Sequence, residues 1–281
     1  MRRSPVERAN EIRLKRQEHQ GSFLIVEGRD DRLFFQQRVF AGSCSVIVAD
    51  GKANVIDTVR ILEADSFTGI VGIVDADLDH IEGERCFSDN VITLETTDLE
   101  ALLVRSVALD GVLVEFGSRR KIARFDQDIR ETLLEAAMPV GCLRLYSRRA
   151  GVRLRFEGLR YGRCVERNSL TINAEALVEE VVDRSQRHDL VCRDIVREVH
   201  GILQSVENPW LVCHGVDMVA ILSYGLRTIL GSNNTGAVDV EVLNRCLRLG
   251  YPGAEFVTSE LARELNAWSA RNSGFCVLEA N

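Results

Sequence analysis

The chain has 281 residues, enough for one large domain or two modest ones, and 46% of them are hydrophobic, an ordinary share for a protein with a sizeable core. Its formal net charge is -7, from 35 Lys+Arg against 42 Asp+Glu, which excludes a general polycation and leaves any nucleic-acid contact to a local basic patch. No apolar run is long enough to span a bilayer and no apolar segment follows Met1 to Glu7, so neither a membrane span nor a secretory leader is expected, and the expected location is the cytoplasm.

In chain order, Ser4-Pro5-Val6-Glu7 reads as a helix start, with Ser as cap, Pro at the first position and Glu closing a capping box; the helix is expected to reach about Glu18. Gly21-Ser22 breaks it, and Phe23 to Val26 reads as a buried strand ending at Glu27-Gly28. A helix is expected over Asp30 to Val39, a strand over Cys44 to Val48, a turn at Asp50-Gly51-Lys52 and a helix over Ala53 to Ala64. Ile70 to Val74 reads as a third strand ending at Asp75, and Val91 to Leu94 as a fourth ending at Glu95. Alternating helices and near-continuous apolar strands predict an α/β fold with a mainly parallel sheet flanked by helices.

Beyond about Leu103 the pattern turns mainly helical, with helices expected over Asp126 to Leu145, Ala174 to Arg187, Asp189 to Val206, Val216 to Leu230, Val238 to Leu249 and Thr258 to Ala270. Residues 146–167 read as a short hairpin or extended segment. The expected division is an N-terminal helix over 1–20, an α/β domain over 21–115 and an α-helical region over 116–281. The eight cysteines (Cys44, Cys86, Cys142, Cys164, Cys192, Cys213, Cys246 and Cys276) are scattered, which predicts reduced, mostly buried thiols rather than a zinc site or a disulfide framework.

The chemistry lies in acids at strand ends. Ligands of open α/β sheets bind outside the carboxyl ends of the strands. Glu27 ends the first strand and Asp75 the third; Asp75 and Asp77 are two apart, so in an extended chain both carboxylates face one side. Converging acids repel unless a hard cation neutralises them, and oxygen ligands suit Mg²⁺ or Mn²⁺. Taken singly, each acid also has a plainer reading: Asp75 and Asp77 as a solvated loop, Glu27 as a helix cap.

Val26-Glu27-Gly28-Arg29-Asp30-Asp31 followed by Val74-Asp75-Ala76-Asp77 resembles a Toprim domain, the metal-binding fold shared by topoisomerases, bacterial primases and several nucleases, over roughly residues 21 to 105. A narrower resemblance, carried by Thr96-Thr97-Asp98-Leu99-Glu100-Ala101-Leu102-Leu103 and Cys213-His214-Gly215-Val216-Asp217, is to the DUF4435 group, which includes the Toprim subunit of the PARIS anti-phage system. The resemblance implies a metal-dependent nuclease acting on RNA, such as tRNA, or on DNA. It implies Mg²⁺ or Mn²⁺ held by Glu27, Asp31, Asp75 and Asp77, with Glu100 completing a second metal position and Asp98 as runner-up, unless Asp98 simply caps the following helix.

Lys52 is expected to neutralise a scissile phosphate, or else to be solvent-exposed. Arg144, Arg148, Arg149, Arg153, Arg155, Arg160, Arg163 and Arg167 share their stretch with only Glu157 and Glu166; Arg148, Arg149, Arg153 and Arg155 are the expected nucleic-acid contacts, against a surface paired with acidic neighbours. Arg119, Arg120 and Lys121 form a smaller basic patch, and His214 is either a proton-transfer residue or structural. No Gly-x-x-x-x-Gly-Lys-Ser/Thr occurs. The resemblance therefore implies an ABC- or AAA-type ATPase partner that senses infection and restrains the nuclease, with homodimer formation left open. The rival is a non-catalytic metal-binding module regulating such an ATPase; a third reading is phosphoryl or nucleotidyl transfer on small nucleotides.

Overall fold

A computed structural model describes residues 3–83, 88–166 and 168–279; Cys86 and Arg167 lie outside them. The chain divides into two compact units, Met1–Glu95 with Pro252–Asn281, and Thr96–Tyr251.

The first unit opens with α1 (Pro5–Lys15), held by the Ser4–Glu7 capping box that the sequence spells out. It continues through β1 (Ser22–Val26), α2 (Arg29–Phe35), β2 (Cys44–Val48), α3 (Lys52–Ala64), β3 (Ile70–Val74), the short α4 (Asp79–Glu82) and β4 (Val91–Thr93). The strands form one parallel sheet in the order β2-β1-β3-β4. Every residue of the central strands β1 and β3 is buried, as continuous apolar runs require. Val55, Val59 and Leu62 of α3 pack with Ala9 and Ile12 of α1 against Ile25, Ile47 and Val74 of the sheet. Gly72 permits that approach, since a Cβ there would lie 2.7 Å from Val55 Cγ1.

In the second unit follow α5 (Leu99–Arg105), α6 (Ala108–Phe116), α7 (Arg119–Ile122), α8 (Ile129–Arg149), α9 (Ala174–Ser185), α10 (Cys192–Ser205), α11 (Gly215–Arg227) and α12 (Val240–Gly250). The chain then returns to the first unit with α13 (Gly253–Thr258) and α14 (Glu260–Arg271). The expected division set a boundary near 115 and one helical region over 116–281; by its contacts the chain divides at Glu95/Thr96, and the last two helices belong with the first unit. The return has physical anchors: Trp268 Nε1 donates to Asn90 Oδ1 (2.8 Å), Phe40 N to Val277 O (2.8 Å) and Ser22 Oγ to Cys276 O (2.8 Å).

The expected reading of 146–167 is a short hairpin or extended segment. Among the described residues this stretch holds the end of α8, irregular chain and a 3₁₀ turn, with a single antiparallel bridge, Val165–Ile172. Side-chain hydroxyls stand in for a strand partner there. Ser147 Oγ accepts from Leu154 N (2.9 Å) and Ser185 Oγ from Arg155 N (2.7 Å), while Arg153 sits at φ 51°.

The described cysteines are all free. Burial pushes the Cys44 and Cys142 thiols up to about 12 and Cys164 to about 11, so they are protonated and inert. No described helix is long and apolar enough to cross a membrane.

The second unit is pinned internally by a buried charge. Arg144 donates through Nε and Nη2 to both oxygens of Asp217 at 2.9 Å each, and Tyr161 Oη donates to Asp217 Oδ1 at 2.6 Å. Asp217 is 4% exposed, and burial, with the Asp217 charge, pushes the Tyr161 hydroxyl well above its ordinary value. Asp217→Ala strands the Arg144 guanidinium and is expected to cost roughly 3–5 kcal/mol; a fall in unfolding midpoint far smaller than that corresponds to would show the network to be dispensable.

Candidate functional site

Because the strands are parallel, their carboxyl ends share one rim. Glu27 follows β1, Lys52 follows the turn after β2, and Asp75, Asp77 and Asp79 follow β3. The sequence reading is right about this convergence of elements. The side chains, however, are engaged with one another. Glu27 Oε1 accepts from Asp75 N at 2.8 Å. Asp31 Oδ2 accepts from Gly28 N at 2.7 Å, closing the first turn of α2. Asp77 occupies the left-handed region at φ 49°, a cost that a non-glycine residue carries where the surroundings fix the chain.

Lys52 lies among the acids. Its Nζ is 2.6 Å from Asp75 O, 2.9 Å from Asp77 Oδ2 and 2.6 Å from Asp79 Oδ2. Its three protons are thus taken up by the β3 loop, and the side chain is 21% exposed. Burial works against its charge, but the bonds to Asp79 and Asp77 more than offset that and hold it above the usual lysine value.

Glu27 shows the opposite balance. Burial raises its carboxyl from the ordinary 4.5 to about 7; the Asp75 N–H lowers it, the Asp77 and Asp31 charges raise it, and Lys52 lowers it. The donor set is therefore chemically suited to a divalent cation: hard oxygens, a half-buried carboxyl short of positive charge, and a rim open to ligands. Among the described residues, though, no three His, Cys, Asp or Glu side chains are already assembled as a metal group. Asp77 is bonded to Lys52, and Glu27 to the Asp75 amide.

Glu100 and Asp98 belong to the second unit. Asp98 is the cap that the plainer reading foresaw: Oδ1 accepts from Ala101 N (2.8 Å), starting α5, and also from Gly215 N (2.9 Å), starting α11. His214 Nδ1 stands 3.4 Å from Asp98 Oδ2, and Thr97 Oγ1 donates to Cys213 O at 2.5 Å. Gly215 is obligatory, since a Cβ there would meet Ala101 N at 2.0 Å and the Glu100 carbonyl carbon at 2.2 Å. The Thr96–Leu103 and Cys213–Asp217 segments thus form one clasp, with half-buried Glu100 beside it.

The arginine stretch is split by its partners. Arg144 serves Asp217, while Arg160 and Arg163 bond Glu180, whose side chain is 3% exposed. Arg148 and Arg149 are exposed in the last turn of α8, where cations suit the helix end. Arg153 and Arg155 are exposed and Leu154 between them is buried, in irregular chain. In the smaller patch, Lys121 Nζ donates to Thr228 O at 2.6 Å.

The bond between Lys52 and Asp79 is one the sequence reading missed. One signal was available: a lysine at the first position of a helix opposes the helix dipole and asks for nearby acids. It also missed the Arg144–Asp217–Tyr161 network, which joins residues far apart in sequence. No family model matches the chain, and no curated protein aligns with it, so the functional reading rests on its own residues.

The raised Glu27 carboxyl makes a pH prediction. In metal-free buffer its contribution to stability is full below about 4.5 and is lost as pH rises through about 7. Glu27→Gln keeps an oxygen for the Asp75 amide and removes the titration. It should gain on the wild type by roughly 2–3 kcal/mol between pH 4.5 and 8. Parallel stability–pH curves for the two proteins in EDTA would show that Glu27 ionises normally.

Proposed function

We propose that the chain is a metal-dependent Toprim-type nuclease that hydrolyses phosphodiester bonds in RNA or DNA. The observation that supports this reading is that Glu27, Asp75 and Asp77 follow parallel strands whose carboxyl ends share one rim, with Asp77 held in a strained backbone conformation. Glu27, Asp75 and Asp77 would hold the cation. When bound, Mg²⁺ or Mn²⁺ supplies a Lewis acid for a phosphoryl oxygen and a water of lowered pKa. The half-buried Glu27 carboxyl would be drawn into its ionised form there, and Asp31 keeps the Glu27–Gly28 turn in place through the Gly28 amide. Exposed Arg153 and Arg155, with Arg148 and Arg149, are the phosphate contacts in the second unit. All three acids belong to the first unit, and Glu100 to the second.

The resemblance supports a biological setting as well: an effector of anti-phage defence, restrained by an ATPase partner. Nothing in the sequence supplies a P-loop, so sensing and energy would come from that partner. The rival reading keeps the metal and drops the chemistry, making the chain a regulatory module.

Incubating the purified protein with Mg²⁺ or Mn²⁺ and total RNA or DNA, then sequencing new ends, separates the two. Cleavage is expected, and Glu27→Ala and Asp77→Asn should each reduce it to background while the fold survives. Metal binding without new ends would favour the regulatory module. Asp77→Asn should leave nucleic-acid affinity intact or tighter, because phosphate then meets less negative charge.

Arg153→Ala with Arg155→Ala should do the reverse. Affinity should fall, and the slope of log K against log salt should drop by roughly 1.5–2, as two lost phosphate contacts require. Turnover at saturating substrate should change less. Unchanged binding in that double variant would move the substrate path elsewhere.

A further inference from the structure

Lys52 meets the oxygen set of a cation site. Asp75 O, Asp77 Oδ2 and Asp79 Oδ2 lie within 2.6–2.9 Å of its Nζ, with Ala76 O at 3.4 Å, all from one five-residue loop. Two backbone carbonyls and two carboxylates of a single loop are donors of the kind a hard metal ion takes. Lys52 is the first residue of α3, where the positive end of the helix disfavours an ammonium. The helix therefore does not account for a cation at this position; the loop does. The loop also carries its own strain at Asp77, φ 49°, the residue that faces Lys52 through a 2.9 Å contact.

We propose that Lys52 is the resident counter-cation of the acid loop, and that it competes with divalent metal for Asp77, so that loading the metal and releasing Lys52 are one event. The inference rests on the metal-binding reading above. Two cations sharing one carboxylate repel at close range, so metal affinity is weakened while the ammonium stays. In return, the acid loop remains neutralised and folded when no metal is present.

The test uses the full chain, with magnesium chloride or manganese chloride alone as the probe. Lys52→Met keeps length and removes charge; Lys52→Arg keeps charge. In EDTA, Lys52→Met should unfold at a lower temperature than the wild type, and Mg²⁺ should raise its midpoint more than the wild type's. By calorimetry it should bind Mg²⁺ at least about tenfold more tightly. Lys52→Arg should resemble the wild type in both respects.

Wild-type binding as tight as that of Lys52→Met, or tighter, overturns the competition and leaves the metal site standing. Absence of saturable binding in both proteins overturns the metal reading and the inference with it. A Lys52→Met chain that stays unfolded with or without Mg²⁺ also overturns it, because the metal then does not replace the ammonium.

Discussion

A parallel sheet brings the ends of its strands to one side, and here those ends carry negative charge that something must balance. Lys52 is the balancing group, with its three protons given to the Asp75 carbonyl and to the Asp77 and Asp79 carboxylates. Glu27 at the same rim accepts from the Asp75 amide, and burial raises its carboxyl although that amide and the Lys52 charge pull it down. Lys52 thus bonds Asp77 directly and acts on Glu27 only through space.

The second unit solves a different problem with the same means. Asp98 accepts from the amides that begin two separate helices, α5 and α11. A carboxylate at a helix N-terminus is stabilised by the exposed amides and the dipole. One buried acid shared by two helix starts fixes where both begin. Asp217, one turn into α11, is then placed to receive Arg144 from α8 and Tyr161 from the irregular stretch that follows it. Asp98 and Asp217 are themselves buried, where an unpaired charge would be costly.

The fold was legible in the sequence wherever burial is two-sided. β1 and β3 are runs of consecutive apolar residues, and they are the fully buried centre of the sheet. Ser4-Pro5-Val6-Glu7 encodes its helix start locally, and the capping box forms as spelled. Asp98 was legible as a cap but not as a shared one, since Gly215 is more than a hundred residues away. Among its described residues 146–167 forms no strand, because alternation alone does not supply a strand partner; the Ser147 and Ser185 hydroxyls meet the Leu154 and Arg155 amides instead. At the rim, the acids announced themselves but their pairing did not. Lys52 at the start of α3 asks for an acid, but nothing local says that the β3 loop supplies it.

The chain leaves the first unit after Glu95 and re-enters it at Pro252. All four strands are encoded before that departure, yet Trp268 bonds Asn90 beside β4, and the Val277 and Cys276 carbonyls take protons from Phe40 and Ser22 near β2 and β1. Domains tend to fold as units in the order in which they leave the ribosome. The second unit is continuous and has all its parts once Tyr251 has emerged. The first has its sheet early and its closing helices last, so the unit that is begun first during synthesis is the one finished last.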